Sequence, residues 1–286
     1  MLKVFKTIMA DLKLRQYSFC WGKRTYIMGI LNVTPDSFSD GGQFNTLETA
    51  LIQAKILINS GADIIDIGEQ STRPGSQQIS FEEELNRVIP IIKLLRQETS
   101  IPISIDTTRA SVADALVVSI EAGADLVNDV SGGTFDSQMF AVVAKLKVPI
   151  ILMHIRGNPQ TMQQLTDYTD LIEEVIQWLD NQLNLAMKAG IKRSHLIIDP
   201  GIGFAKTYSQ NLELLQRLSE FKRLVQPIVV GVSRKRFIGH INPKQRLWGT
   251  AAACCGAIAQ SADILRVHDV AQIVDIALVA DAIWRS

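Results

Sequence analysis

Several short apolar runs in this chain end in a polar or charged side chain, and those side chains are not a random assortment. Asn32, Asp106, Asn128-Asp129 and Asp199 end four of them, and His154 ends a fifth. Ser71-Thr72-Arg73-Pro74-Gly75 follows another. Ser233-Arg234-Lys235-Arg236 and Arg266-Val267-His268-Asp269 follow the last two. Carboxylates and amides thus come early in the chain, and the dense cations come late. A carboxylate such as Asp106 or Asp199 can accept two parallel bonds from an amino group and a ring N–H, so Asp106, Asn128 and Asp199 suit a flat heterocycle rich in N–H donors. Guanidinium grips phosphate oxygens through parallel hydrogen bonds and ammonium adds a point charge, so Lys235, Arg266 and His268 suit a phosphate. The combined chemistry is that of a ligand with a hydrogen-bonding ring at one end and phosphates at the other.

Each residue also has a plainer reading. Asp199-Pro200-Gly201 can be a turn that ends a strand, and Asp106 a helix cap. Lys235 can be a solvated cation and His268 a helix-start residue. His154 reads as a packed core histidine, and His195 and His240 receive no role.

The elements that must position these groups alternate. Apolar runs at Tyr26–Leu31, Ile64–Ile67, Ile103–Ile105, Leu126–Val127, Ile150–Met153, Leu196–Ile198, Ile228–Val232 and Ile264–Val267 read as buried strands. Helical patterns lie between them, among them Leu47–Asn59, Phe81–Gln97, Ala110–Ala122 and Leu171–Ala189. Ser-Gly-Ala-Asp (60–63), Glu-Ala-Gly-Ala-Asp (121–125) and Gln-Ser-Ala-Asp (260–263) close three helices in nearly the same way, two of them with the Gly expected at a helix end. This alternation predicts an α/β fold, a (β/α)8 barrel formed as one domain over 1–286, with residues 1–24 peripheral. An open doubly wound sheet is the competing arrangement, but no Gly-rich dinucleotide fingerprint follows the first strand. Tyr17 to Thr25, centred on Trp-Gly-Lys, predicts a short hairpin ahead of the first core strand. In such a barrel the polar strand ends gather on one face, and the last two strands commonly hold a phosphate.

The bulk composition narrows the classes. The 286 residues include 47% hydrophobic and 20% charged side chains, ordinary for a globular protein with a sizeable core. Lys+Arg and Asp+Glu balance at 29 each, so no global field favours nucleic acid or an anionic membrane. Cys20 and the adjacent Cys254 and Cys255 fit neither a disulfide framework nor zinc-ligand spacing, which points to thiols in a reducing, cytoplasmic compartment. No apolar run approaches the roughly 18 residues of a membrane span, and no signal-peptide layout opens the chain.

From about residue 26 onward the chain resembles the dihydropteroate synthase family. The resemblance rests on Asn-Val-Thr-Pro-Asp-Ser-Phe-Ser-Asp (32–40), Ser-Thr-Arg-Pro-Gly (71–75), Ser-Ile-Asp-Thr (104–107), Val-Asn-Asp-Val-Ser-Gly (127–132), Asp-Pro-Gly-Ile-Gly-Phe (199–204), Gly-Val-Ser-Arg-Lys (231–235) and Arg-Val-His-Asp (266–269). It implies a transferase that joins p-aminobenzoate to 6-hydroxymethyl-7,8-dihydropterin diphosphate, giving 7,8-dihydropteroate and pyrophosphate by SN1-like loss of the leaving group. By the same resemblance Asp106, Asn128, Asp199, Lys235, Met153 and Phe204 hold the pterin. Asn32, Thr72, Arg266 and His268 hold the diphosphate, with Mg2+ at Asn32. Phe38, Thr72, Arg73 and Pro74 close over p-aminobenzoate. Asp106, Lys235, Arg266 and His268 form the catalytic set, and a cytoplasmic homodimer is implied. Family members are sulfonamide targets. The sequence departs from the family pattern at Gly68-Glu69-Gln70, at Ala205 and at Arg236. Arg236, at an expected helix start, is a further candidate for the p-aminobenzoate carboxylate. Rival readings are a pterin-dependent methyltransferase on the same barrel, an aldolase using Lys235, and a non-catalytic pterin-binding paralogue.

Overall fold

A computed structural model of the chain describes residues 9–33, 43–68, 80–120, 123–241 and 244–285. Eight parallel strands form one sheet and follow one another around it in chain order, the last lying between the first and the seventh. They are β3 (Tyr26–Asn32), β4 (Ile64–Gly68), β5 (Ile103–Asp106), β6 (Leu126–Asp129), β7 (Ile150–Met153), β8 (Leu196–Asp199), β9 (Val229–Val230) and β10 (Ile264–Val267). A parallel bridge between Ile198 and Ile228 brings β9 back against β8, so the sheet curls into the expected barrel. The run Ile228–Val232 pairs as a strand only at Val229–Val230, because the chain turns away at Gly231 towards the site. The helices α1 (Gln43–Asn59), α2 (Phe81–Glu98), α3 (Ala110–Ile120), α4 (Met139–Leu146), α5 (Leu171–Lys188), α6 (Tyr208–Gln216), α7 (Arg236–Ile241), α8 (Arg246–Ala259) and α9 (Val270–Trp284) lie between and after the strands.

Strand alternation decides what points where, since residues i and i+2 share a face. Ile65, Ile67, Ile103, Ile105, Val127, Leu152 and Leu265 pack outward in one core with the helices. The inward set begins apolar, with Met28, Ile64, Leu126, Ile151, Ile197, Val229 and Ile264. Two residues further along the same strands the inward side chains are Asp66, Asn128, Met153, Asp199 and Arg266. The barrel is therefore oily at one end and polar at the other.

The oily end is plugged by a hairpin, but not the one expected. β1 (Leu12–Leu14) pairs antiparallel with β2 (Tyr17–Phe19), turning at Arg15-Gln16 with Arg15 in the left-handed region at φ 53°. Leu12, Leu14 and Phe19 face the inward apolar layer, and that burial fixes the register. Trp21-Gly22-Lys23, taken from the sequence as the hairpin tip, instead forms the turn into β3. Trp21 packs edge-on to Tyr26 at 5.6 Å there.

The repeated Ala-Asp endings have a shared structural task at this end. Gly61, Gly123 and Ser261 each take positive φ (96°, 119° and 70°) and reverse the chain out of a helix. The Asp two residues later then clamps the start of the neighbouring strand. Asp63 accepts from Ile27 N at 2.8 Å, Asp125 from Ile103 N at 2.9 Å and Asp263 from Ile228 N at 2.9 Å. Each carboxylate also takes a cation: Arg24 for Asp63, Arg15 and Arg96 for Asp125, and Lys222 for Asp263. Removing one member of a buried pair strands the other, so Asp125→Ala is expected to cost roughly 3–5 kcal/mol in chemical denaturation. Substrate KM values should be unmoved, because the clamp lies opposite the polar end. A loss below about 0.5 kcal/mol would contradict the clamp, being no more than an ordinary surface substitution.

Candidate active site

At the polar end four inward side chains from four strands converge. Arg266 donates from Nε to Asp66 Oδ2 at 2.6 Å and from Nη2 to Asp106 Oδ2 at 2.6 Å. Asn128 Nδ2 donates to the same Asp66 oxygen at 3.2 Å. Asp66 is fully buried, and its Oδ1 has no hydrogen-bond partner among the described residues. Burial pushes the Asp106 carboxyl up to about 7 against the attraction of Arg266. The two flanking carboxylates hold the Arg266 guanidinium above its ordinary value, outweighing its own burial. Arg266, grouped from the sequence with the phosphate cations, is thus tied into the ring sector as well and stands where the two sectors meet.

The second half of the site is the turn after β8. Asp199 accepts from Gly201 N at 2.7 Å, and burial raises its carboxyl despite that bond and the nearby Lys235. Gly201 (φ 73°) and Gly203 (φ 86°) are left-handed. A Cβ on Gly201 would lie 2.0 Å from the His154 carbonyl oxygen, and one on Gly203 3.1 Å from Lys235 Cδ. The Gly-Ile-Gly spacing lets this turn lie flat on the end of β7 and lets Lys235 pass over it. Lys235 Nζ then sits 4.2 Å from the centre of the Phe204 ring, and burial draws its ammonium down to about 8. Sorted by type alone Lys235 belonged with the phosphate cations; it turns towards Phe204 on the Asp199 side. Met153 and Phe204 share a small apolar cluster with Val130, Ile155, Met162 and Ala205. Ala205, a departure from the family pattern, holds a left-handed φ of 49° with its methyl buried in that cluster.

His268 stands beyond Arg266 on the same inward phase. Its Nδ1 is 3.0 Å from Ser233 Oγ, which also accepts from His268 N at 3.2 Å. Arg234, by contrast, turns away into an ion pair with Asp269. Asn32 ends β3 in an exposed position, in register with Gly68 of β4, which is in turn in register with Asp106 of β5. Arg236 opens α7 and is exposed. Phe38, Thr72, Arg73 and Pro74 lie outside the described residues, as do Glu69 and Gln70. His154 is buried, edge-on to Trp178 at 5.0 Å, in keeping with a packed core histidine.

Sequence reasoning passed over three buried groups here. Asp66 was hidden inside the run Ile64–Ile67, read as uniformly apolar; a carboxylate there, on the inward phase, was the signal. Glu84 of α2 accepts from Thr107 Oγ1 at 2.7 Å and Arg109 Nη1 at 3.1 Å, bracing the residue after Asp106. In sequence it is one of three consecutive glutamates in the first turn of α2, where acidic residues favour the helix dipole. Lys206 is the third.

The barrel's inward face pairs carboxylates and an amide with a bridging guanidinium, and the model of the family described as pterin binding enzyme matches residues 28–268, which makes this barrel one of the pterin-binding class. The dihydropteroate synthase of Synechocystis is 61% identical over 274 residues, covering 94% of this chain and 94% of the relative. That of Bacillus subtilis is 46% identical over 263 residues, covering 91% and 89%. Among solved structures, Clostridium difficile dihydropteroate synthase in the presence of pteroic acid superposes with a TM-score of 0.88 at 46% identity, covering 94% of this chain and 100% of that one. The Xanthomonas albilineans enzyme in complex with 7,8-dihydropteroate gives 0.84 at 38% identity, covering 96% and 98%. The chain belongs to the dihydropteroate synthase family, whose members are transferases.

Proposed function

We propose that this chain joins p-aminobenzoate to the methylene carbon of 6-hydroxymethyl-7,8-dihydropterin diphosphate by dissociative loss of pyrophosphate, giving 7,8-dihydropteroate. The observation that carries the proposal is the Asp66–Arg266–Asp106 cluster, in which one guanidinium on β10 holds carboxylates from two strands of the ring-binding sector, with His268 two residues beyond it. Relatives solved with pteroic acid, 4-aminobenzoic acid and 7,8-dihydropteroate support the choice of ligands.

In this reading Asp106, Asn128 and Asp199 accept from and donate to the pterin edge, while Met153, Phe204 and Lys235 enclose its faces. Asp66 keeps Arg266 and Asn128 in place. Arg266 and His268 take the diphosphate, with Asn32 at its side; Thr72 would join them. Breaking the C–O bond sends its electron pair to the departing pyrophosphate, so cationic groups at that end lower the barrier. The cationic methylene left behind is countered by the Asp106 carboxylate. The arylamine supplies its own lone pair, forms the C–N bond and sheds a proton. No side-chain base is needed to activate it. Phe38, Arg73, Pro74 and Arg236 are assigned to p-aminobenzoate.

A Mg2+ ion suits this arrangement. Mg2+ characteristically leans on substrate phosphate oxygens with few protein ligands, which a single amide oxygen beside the diphosphate would satisfy. The Asn32 side-chain oxygen would hold it, and charge on the leaving group would be neutralised there. The exposed apolar side chains of α8 and α9, Trp248, Leu278, Val279 and Ile283, support a homodimer. No helix among the described residues is long and apolar enough to cross a membrane.

Deuterium on the methylene carbon tests the dissociative step. A normal secondary isotope effect on kcat/KM is expected as that carbon flattens; its absence under conditions where chemistry limits the rate would favour direct displacement. The aldolase alternative has little support, since Lys235 faces Phe204 and Asp199 and the diphosphate clamp would be idle.

A further inference from the structure

Lys206 follows directly on the Asp199–Phe204 turn and is only 3% exposed, yet the reaction as derived gives it no task. Its Nζ donates to the Phe204 carbonyl at 2.9 Å and lies 3.0 Å from His154 Nδ1. Both are uncharged acceptors, for burial and the neighbouring Lys206 and Arg156 charges hold the His154 imidazole well below its ordinary value. A buried ammonium with no bonded carboxylate among the described residues is costly to keep, and burial draws Lys206 down to about 7. Asp199 attracts it from the end of β8, while Arg156 and Lys235 repel it from the neighbouring loops.

The amine sits where the turn could otherwise lift. Asn211 of α6 fixes the turn at one point, accepting from Gly203 N at 2.6 Å. Tyr168 fixes it at another, its hydroxyl donating to the Ala205 carbonyl at 3.0 Å. Between these, Phe204 is held by two lysines: Lys206 grips its carbonyl, and Lys235 lies over its ring. His154 in turn anchors Lys206 to the end of β7, braced against Trp178. An aliphatic side chain at 206 would leave both the Phe204 carbonyl and His154 Nδ1 without this donor.

We propose that Lys206 is a positioning residue for the ring end of the substrate, pegging the Phe204 carbonyl to the end of β7 so that the Phe204 ring, Lys235 and the Asp199 carboxylate are presented together. It touches no reacting atom and acts through Phe204. The proposal rests on the pterin reading of the site.

The test takes the whole chain and establishes first that the wild type releases pyrophosphate only with both substrates. In Lys206→Met, KM for the dihydropterin diphosphate is expected to rise about tenfold, KM for p-aminobenzoate to stay within about twofold, and kcat to fall less than the first KM rises. The dissociation constant of 6-hydroxymethylpterin, measured directly, should rise in parallel. His154→Leu removes one anchor and leaves the bond to Phe204, so about a threefold rise in the same KM is expected, readable even where Lys206→Met does not fold. A wild type that neither turns over nor binds 6-hydroxymethylpterin would overturn the pterin reading itself. A wild type that turns over, with variants whose ring affinity is unchanged or whose two KM values rise equally, would overturn the positioning role alone.

Discussion

Arg266→Ala is expected to lower kcat/KM about a thousandfold, the scale of losing one preorganised group that meets developing charge. The geometry supplies two reasons. The guanidinium is the cation that reaches both sectors, and its Nε and Nη2 are the groups that satisfy Asp66 and Asp106 at 2.6 Å each. Alanine therefore leaves two buried carboxylates facing one another, at a cost of roughly 3–5 kcal/mol to the fold near pH 8. That deficit has a definite sign with pH. Removing Arg266 lifts the one strong attraction that opposes the upward shift of Asp106. A carboxyl whose folded value is raised contributes stability at low pH and loses it as pH rises through that value. The variant should thus approach wild-type stability in acid and fall behind in alkali. Lysine at 266 should rescue little, since one point charge cannot hold two carboxylates on separate nitrogens. A melting deficit independent of pH, or activity within about tenfold of wild type, would contradict the bridging role.

Asp106→Asn is expected to reduce kcat/KM by at least about a hundredfold, with much of the loss in kcat, because an amide cannot counter a developing methylene cation. The pH profile separates this from a simple binding loss. In the wild type Asp106 must be ionised, so kcat/KM should climb as pH passes about 7, and it should fall again as Lys235 loses its proton at about 8. Asn at 106 should abolish the acid limb and leave the alkaline one. It should also flatten stability between pH 4 and pH 7, where the wild type gives up the stability that protonated Asp106 provides, from its ordinary 3.8 up to about 7. An acid limb that persists in Asp106→Asn would assign that limb to another group.

The residues show why some of this was legible in the sequence and some was not. Asp199 and Asn128 were readable because each follows directly on an apolar run, and Arg266 because it opens the polar Arg-Val-His-Asp stretch; side chains there reach the barrel mouth. Asp66 obeys the same two-residue alternation but sits one turn of the pattern deeper, where flanking isoleucines made the run look uniform. Glu84 and Lys206 act from elements outside the strands, and their partners, Thr107 and His154, lie 23 and 52 residues away in the chain. No local pattern encodes such a pairing. The hairpin was misplaced for a related reason: Trp-Gly-Lys is a good turn, but burial of Leu12, Leu14 and Phe19 against the barrel floor chose the earlier one. The three Ala-Asp endings were visible as a repeat, and only the neighbouring strands revealed what the Asp was for.

The most direct measurement is pyrophosphate release by the purified chain from 6-hydroxymethyl-7,8-dihydropterin diphosphate, with p-aminobenzoate and Mg2+ each included or withheld. Release at full rate is expected only when all are present, matched mole for mole by 7,8-dihydropteroate. Tight binding of the dihydropterin diphosphate with no release under any combination would contradict it and leave a pterin-binding barrel without turnover.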